Sequence, residues 1–549
     1  MKTKICLSII LILSTCLRFI NLGKIPNSYT PDELAQGYTA YSIISTGKDE
    51  WNNSNWLNLR SFGDFKPPVQ TLLMIPGIKI FGLNTFSVRF PNALFSILTI
   101  LFTYLLANLL FKDTSIALLS SLLMAISPWF LPMSRIALEA NLVIFFITSA
   151  TYFFLLARRD NLSILFIIPA IIFALSFYTY HSAKLFLFPY LILLFFYTSI
   201  IKHPRHFLTF TSIFILLILI PLFLNHQAQN VRTTDIAIFN PTDRWQEVSD
   251  NQYEITNNGL PYLITKLFNN KFTYLYRLFI GNYLSYFSPQ FLLTNGAGET
   301  TYGMLPGYGV VGIIPGLGII FFLIFLLKNF PKISFSHLFL LLSVIIAPLP
   351  AAISKGQFAA NRASLMMPFI QIIASAGIIY FLNFIPSKFK KISTIAIFSA
   401  LTIFSLSYLQ KYFFQANQIL AKGMLYGHQQ INQYLSLYPN SQIIYSRKLS
   451  EPQAYATFFN QINPRDVQNA SNDWIKYQLN NLSFLDQLSE YYLNNYTFRE
   501  INIKSDQELT NTILVGKPEE FLDTHPDYVI YYPSFSHPEP AIYIYHTKK

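Results

Sequence analysis

Thr30-Pro31-Asp32-Glu33 places two adjacent carboxylates a few residues beyond an apolar stretch. A carboxylate in such a place can take a proton from a hydroxyl, or it can simply begin a helix. The order Thr-Pro-Asp-Glu fits a capping box: Thr30 as N-cap, Pro31 at the first helical position, Glu33 reaching back from the third. Glu33 is therefore open to both readings as a catalytic or a capping acid. Asp32 gains only the dipole term, about 0.3–1 kcal/mol, and is the better candidate for chemistry. Four further clusters carry ionisable groups: SFGDFKPP with Asp64 and Lys66, SRIALEAN with Arg135 and Glu139, YTYHSAK with Tyr180, His181 and Lys184, and SKGQFAANR with Arg362. A carboxylate among several cations suits transfer from an anionic donor to a neutral nucleophile.

Each cluster also has a plainer reading. Lys66 could rest on lipid headgroups, and Arg135 and Glu139 have the i, i+4 spacing of a helix ion pair. His181 and Lys184 could be interfacial anchors, Arg362 could reach along a helix to the interface, and Asp49-Glu50 read as loop surface. The sequence holds no G-x-x-x-x-G-K-[ST], no G-x-G-x-x-G after a strand and no H-E-x-x-H. Nothing in it points to ATP, a dinucleotide or a protease zinc site. Asp32-Glu33 is not a spaced Asp-x-Asp, so no metal site and no cofactor is expected, although a divalent ion could replace some of the cations.

The elements that must position these groups are membrane helices. The 549-residue chain is 52% hydrophobic and only 12% charged, against about 25% charged in soluble domains. Its net charge of +12 comes from basic residues scattered in short loops between apolar runs, a pattern of membrane topology rather than nucleic-acid binding. Spans are expected near 5–22, 90–111, 114–131, 141–157, 162–178, 184–200, 207–224, 306–327, 335–351, 364–384 and 392–410. The first is expected to be an uncleaved helix, with Arg18 reaching to the outer interface. It holds both cysteines, Cys6 and Cys16, which leaves no disulfide framework. Basic residues concentrate in alternate short connections, which puts the N-terminus in the cytoplasm of a multi-pass cell-membrane protein. Residues 1–410 then form the membrane domain, with outer loops at 23–89 and 225–305. Residues 411–549 form a polar outer tail whose strand-like runs (SQIIYS, DYVIYYPSF, AIYIYH) and helix-like EPQAYATFFNQ predict a small α/β domain. The polar clusters lie at the outer ends of the spans, where ionisable groups are costly unless paired or used.

With these motifs in place, about residues 1–380 resemble a GT-C-fold membrane glycosyltransferase of the protein O-mannosyltransferase and aminoarabinose-transferase superfamily. The features that carry the resemblance are Asp32-Glu33 after the first span, Lys66-Pro67-Pro68, SPWFLPMSR with Glu139 beyond it, and YTYHSAK. The resemblance implies a polyprenyl-phosphate sugar donor and an inverting transfer to a protein, lipid or glycan acceptor. It assigns Asp32 to the acceptor hydroxyl and Lys66 to the donor phosphate, where Arg135 and Arg362 are the further candidates. Relatives often carry an acid directly before that lysine; here Phe65 intervenes and Asp64 stands one place back. A transporter or flippase would be expected to show paired half-repeats and broken helices, and none is evident. A glycan polymerase or ligase is a closer rival.

Overall fold

The computed structural model describes residues 2–548 except 63, 225–237, 239–243, 331, 357, 481, 523 and 535–536. The first half runs α1 (Lys2–Phe19), α2 (Pro31–Thr46), a hairpin of β1 (Leu59–Ser61) and β2 (Asp64–Lys66), then α3 (Pro68–Phe81), α4 (Thr85–Phe111), α5 (Thr114–Ala125), α6 (Phe130–Ser134), α7 (Glu139–Asp160), α8 (Ile167–Phe177), α9 (His181–Thr198) and α10 (Pro204–Leu224). An apolar helix stands at every position where a span is expected. Among the described residues five of them, including α4, α7 and α9, are long and apolar enough to cross a bilayer alone, and a segment bent by 51° at residues 360–384 makes a sixth. Others, such as α5 and Ile313–Asn329, are shorter apolar helices.

The bundle closes where side chains are smallest. A Cβ on Gly377 would fall 1.8 Å from the Gly318 carbonyl oxygen. Glycine at both positions lets Ile313–Asn329 and Phe369–Phe384 cross backbone to backbone, a contact that depends on packing because lipid offers no competing hydrophobic drive. The last apolar helix, Ser387–Ile419, runs past the expected domain boundary at 410. Its buried residues Leu401, Ser405, Tyr408, Tyr412 and Ala416 form one stripe at three- or four-residue spacing, so a single face meets the bundle.

Beyond it lies the expected α/β domain. Its six-stranded sheet has the order β4-β5-β3-β6-β8-β7, with central β3 (Gln442–Tyr445) parallel to both neighbours. Flanking these are β4 (Glu490–Leu493), β5 (Tyr496–Arg499), β6 (Thr512–Gly516), β7 (Tyr528–Tyr531) and β8 (Pro540–His546). The three predicted strand runs supply β3, β7 and β8, and EPQAYATFFNQ supplies the helix Pro452–Phe459.

This domain does not stand apart from the first outer loop. Tyr38, Met74 and Val88 share one buried core with Ile443, Tyr455 and Ile544. Ala35 clusters with Ala454, a Cβ on Gly37 would meet Phe458 at 3.2 Å, and the Tyr38 hydroxyl donates to the Ile462 carbonyl at 2.6 Å. These contacts climb both segments in the same direction, so α2 and Pro452–Phe459 run side by side in the same sense.

The loop also buries the two acids expected on its surface. Asp49 accepts from the amides of Trp51, Asn53 and Arg60 at 2.8–3.0 Å, and Glu50 accepts from Phe62 N at 3.3 Å. The chain folds over its own carboxylates because they satisfy the amides that hold the hairpin. Burial, with Asp49 alongside, pushes Glu50 up to about 8.

Candidate active site

α2 begins as its residues dictate. Thr30 adopts extended backbone (φ −81°, ψ 147°), its side chain accepts from Glu33 N, and the Glu33 carboxylate accepts from Thr30 N in return. Glu33 goes further than a cap. It is 1% exposed, accepts from Arg89 Nε (3.1 Å) and Nη2 (2.9 Å), and accepts from Ala137 N (3.2 Å). Arg89, itself fully buried, donates to the carbonyls of Leu22, Pro26 and Ser28. With its oxygens so committed, Glu33 joins α2 to α4 and to the approach of α7, and it is not poised to take a substrate proton.

Asp32 faces another way. Its side chain is 28% exposed and lies 2.5 Å from the Lys66 ammonium, which is 2% exposed. Lys66 ends β2 opposite Leu59, and Pro67-Pro68 turn the chain into α3, with Pro68 at the first helical position. The hairpin and the capped helix thus bring together an acid and a base 34 residues apart. The Lys66 ammonium also sits 5.0 Å from the Phe62 ring centre. Asp64 pairs with Ser61 in the hairpin register, but its side chain lies outside the described residues.

The two arginines expected at a phosphate separate. Arg135 is fully buried and donates to four carbonyls, those of Leu17, Arg18, Ile20 and Ile25, at 2.6–3.1 Å. Three of these lie at or just past the C-terminal end of α1, where unpaired carbonyls and the helix dipole favour a cation, and Ile25 lies in the loop that follows. Arg135 therefore caps the end of α1 and forms no ion pair with Glu139 among the described residues. Arg18, expected at the outer interface, is likewise buried and donates to the Ala125 carbonyl at 3.1 Å. Arg362 is different: it is half-buried, and its side chain makes no hydrogen bond or ion pair among the described residues.

Arg362 lies in the same neighbourhood as Asp32. Asp32, Tyr180, Glu299 and Arg362 all act electrostatically on half-buried Tyr302. Glu299 accepts from Ala360 N at 2.8 Å, and burial pushes it up to about 7 against the pull of that bond and of Arg362. Glu139, at the start of α7, accepts from Gln36 Nε2 at 2.6 Å, one turn beyond Asp32. Tyr180 is the N-cap residue of α9, which opens with His181, and the Lys184 ammonium sits 5.3 Å from the Phe177 ring centre. Among the described residues no group of three or more His, Cys, Asp or Glu side chains could hold a metal ion.

Arg89, Gln36, Glu299 and Tyr302 are new to the site. Arg89 had a signal, being a charge at the start of an apolar helix. Glu299 had none, because a lone acid in a Gly-rich loop is usually solvated.

The site is thus assembled from loops that an apolar helical bundle holds together, beneath an α/β domain packed on the first of them. That is a GT-C-type fold. Residues 65–224 match the family described as dolichyl-phosphate-mannose-protein mannosyltransferase. The structure is similar to that of ArnT from Cupriavidus metallidurans bound to undecaprenyl phosphate, with a TM-score of 0.55 at 12% identity over 98% of this chain and 97% of that one. The apo form of the same protein gives 0.53 at 11% identity, with the same coverage. In sequence, an uncharacterized protein of Aquifex aeolicus is 32% identical over 148 residues, which span 26% of this chain and only 28% of that relative.

Proposed function

We propose that this protein is a membrane glycosyltransferase that moves a sugar from a polyprenyl-phosphate donor to an acceptor hydroxyl at the outer face of the cell membrane, with inversion. The observation that carries the reading is the Asp32–Lys66 contact, a partly exposed acid against a buried ammonium, with Arg362 in the same electrostatic neighbourhood. The matched family's description and the undecaprenyl phosphate bound by ArnT support a lipid-phosphate donor. The outer location follows from the charge asymmetry of the short loops.

Asp32 takes the acceptor proton as the acceptor oxygen attacks the anomeric carbon and the bond from that carbon to the phosphate oxygen breaks. The phosphodiester leaves as a monoester, its charge moving from about −1 toward about −2. Lys66 exchanges its contact with Asp32 for that phosphate, which frees the carboxylate at the moment it is needed. A cation held where charge grows stabilises the transition state more than the ground state.

The test is transfer by the purified protein in nanodiscs, given polyprenyl-phosphate hexoses and pentoses with hydroxyl acceptors. Sugar transfer and release of the lipid phosphate are expected. Lys66→Ala should be about 10²–10³ slower at saturating donor. A wild-type protein that releases no lipid phosphate from any donor, or a Lys66→Ala protein at full rate, would overturn the reading.

A further inference from the structure

The C-terminal domain sends one acid toward this site. Ser450 and Glu451 are successive non-glycine residues in the left-handed region, with φ of 56° and 48°, a backbone that persists only where its surroundings impose it. Here it turns Glu451 inward, leaving it 6% exposed. One carboxyl oxygen accepts from the Gln453 amide at 2.5 Å, and the Gln453 oxygen accepts from the Tyr491 hydroxyl at 2.5 Å. Glu451 has no ion-pair partner among the described residues. It is the N-cap residue of Pro452–Phe459, which runs alongside α2 in the same sense. The cluster of Ala35, Phe62 and Ala454 therefore brings the start of that helix to the start of α2 and to the hairpin that carries Lys66.

We propose that Glu451 is a positioning residue of the transfer site, through which the C-terminal domain sets the charge that Lys66 meets as it passes from Asp32 to the donor phosphate. The inference rests on the function proposed above. Uncharged, Glu451 leaves Lys66 to Asp32 and the phosphate without a competing anion from the C-terminal domain. Ionised, it adds an anion that competes for Lys66 and repels the phosphate through a poorly screened interior.

The surroundings favour the uncharged form. Burial and then Asp486 push Glu451 well above the ordinary carboxylate range, opposed by the Gln453 bond; Asp32 raises it further and Lys66 pulls it down. The groups that face it are Asp32 on α2, Lys66 on β2, Asp486 in the 485–487 turn, whose carbonyl is held by Arg447, Tyr455 on its own helix and Tyr491 on β4.

The experiment is binding of undecaprenyl phosphate to the intact protein in nanodiscs as pH is raised, for wild type and Glu451→Gln. Comparing the two proteins removes the lipid's own titration. Wild-type affinity should fall about tenfold relative to the variant as Glu451 ionises, and the donor KM should show the same divergence while kcat changes less. Thermal unfolding of both proteins at each pH checks that the fold is retained. Parallel wild-type and variant curves would overturn the proposal, as would a Glu451→Gln protein as impaired at every pH as Glu451→Ala. Because binding needs no turnover, a protein that transfers no sugar but whose binding curves diverge would refute the function and leave the role of Glu451 in phosphate binding standing.

Discussion

Asp32 and Glu33 are neighbours in one helical turn and share a carboxylate, yet the fold gives them opposite tasks. Glu33 is enclosed with Arg89 in a pair whose side chains are 1% and 0% exposed, tied to five backbone groups besides. Asp32 meets Lys66 in a pair of which it remains the open half, at 28%. Burial decides the difference. A charge sealed on all sides can hold elements together but cannot exchange partners, whereas one that reaches solvent can release its ammonium to an incoming anion.

The same acid-to-amide change at both positions sharpens this comparison most. Asp32→Asn should lose about 10²–10⁴ in transfer rate, the usual contribution of a positioned base, while unfolding within a few degrees of wild type. Glu33→Gln keeps a capping side chain but strands the Arg89 charge, and breaking a buried pair costs about 3–5 kcal/mol. It should appear as low yield and a depressed Tm. Equal stability of the two variants would erase the distinction between a working pair and a structural one.

The arginines allow a smaller test. Arg362→Lys retains charge but loses the planar fork, and it should raise the donor KM several-fold with little change in Tm. Arg135→Lys should do the reverse, because a lysine cannot serve four carbonyls at once. Weakened donor binding in Arg135→Lys alone would return that residue to the phosphate.

The smallest effect is in pH. Glu50 has a folded value raised to about 8 from an ordinary 4.5. Its folded form therefore holds a proton that the unfolded chain releases, and stability falls as pH rises from about 4.5 to 8. Glu50→Gln should flatten that slope in Tm measured between pH 5 and 8.5. A slope that is unchanged would mean the hairpin does not depend on this proton.

Much of the scaffold was legible because it is local. Thr30 to Glu33 contain every atom of their capping box, and uncharged apolar runs must become helices in a medium that cannot satisfy a free backbone. The β-branched and aromatic residues of SQIIYS, DYVIYYPSF and AIYIYH likewise mark strands β3, β7 and β8 without reference to partners. β4 to β6 went unmarked although they are no shorter than β3 and β7; Glu490–Leu493 and Tyr496–Arg499 acquire their pairing only inside the sheet.

What the tertiary structure alone decided was which partner each charge takes. Residue type and position along the span left Arg135 and Arg362 alike, and only the placement of α1 supplied four carbonyls to one and none to the other. Glu50 looked solvated until the hairpin offered it an amide, and Glu451 lies 419 residues from Asp32, its nearness set by two helices packing through Ala35 and Ala454. A sequence fixes the reach and charge of a side chain, but the strength of a charged contact depends on distance and on excluded water, and both are settled only when distant segments pack.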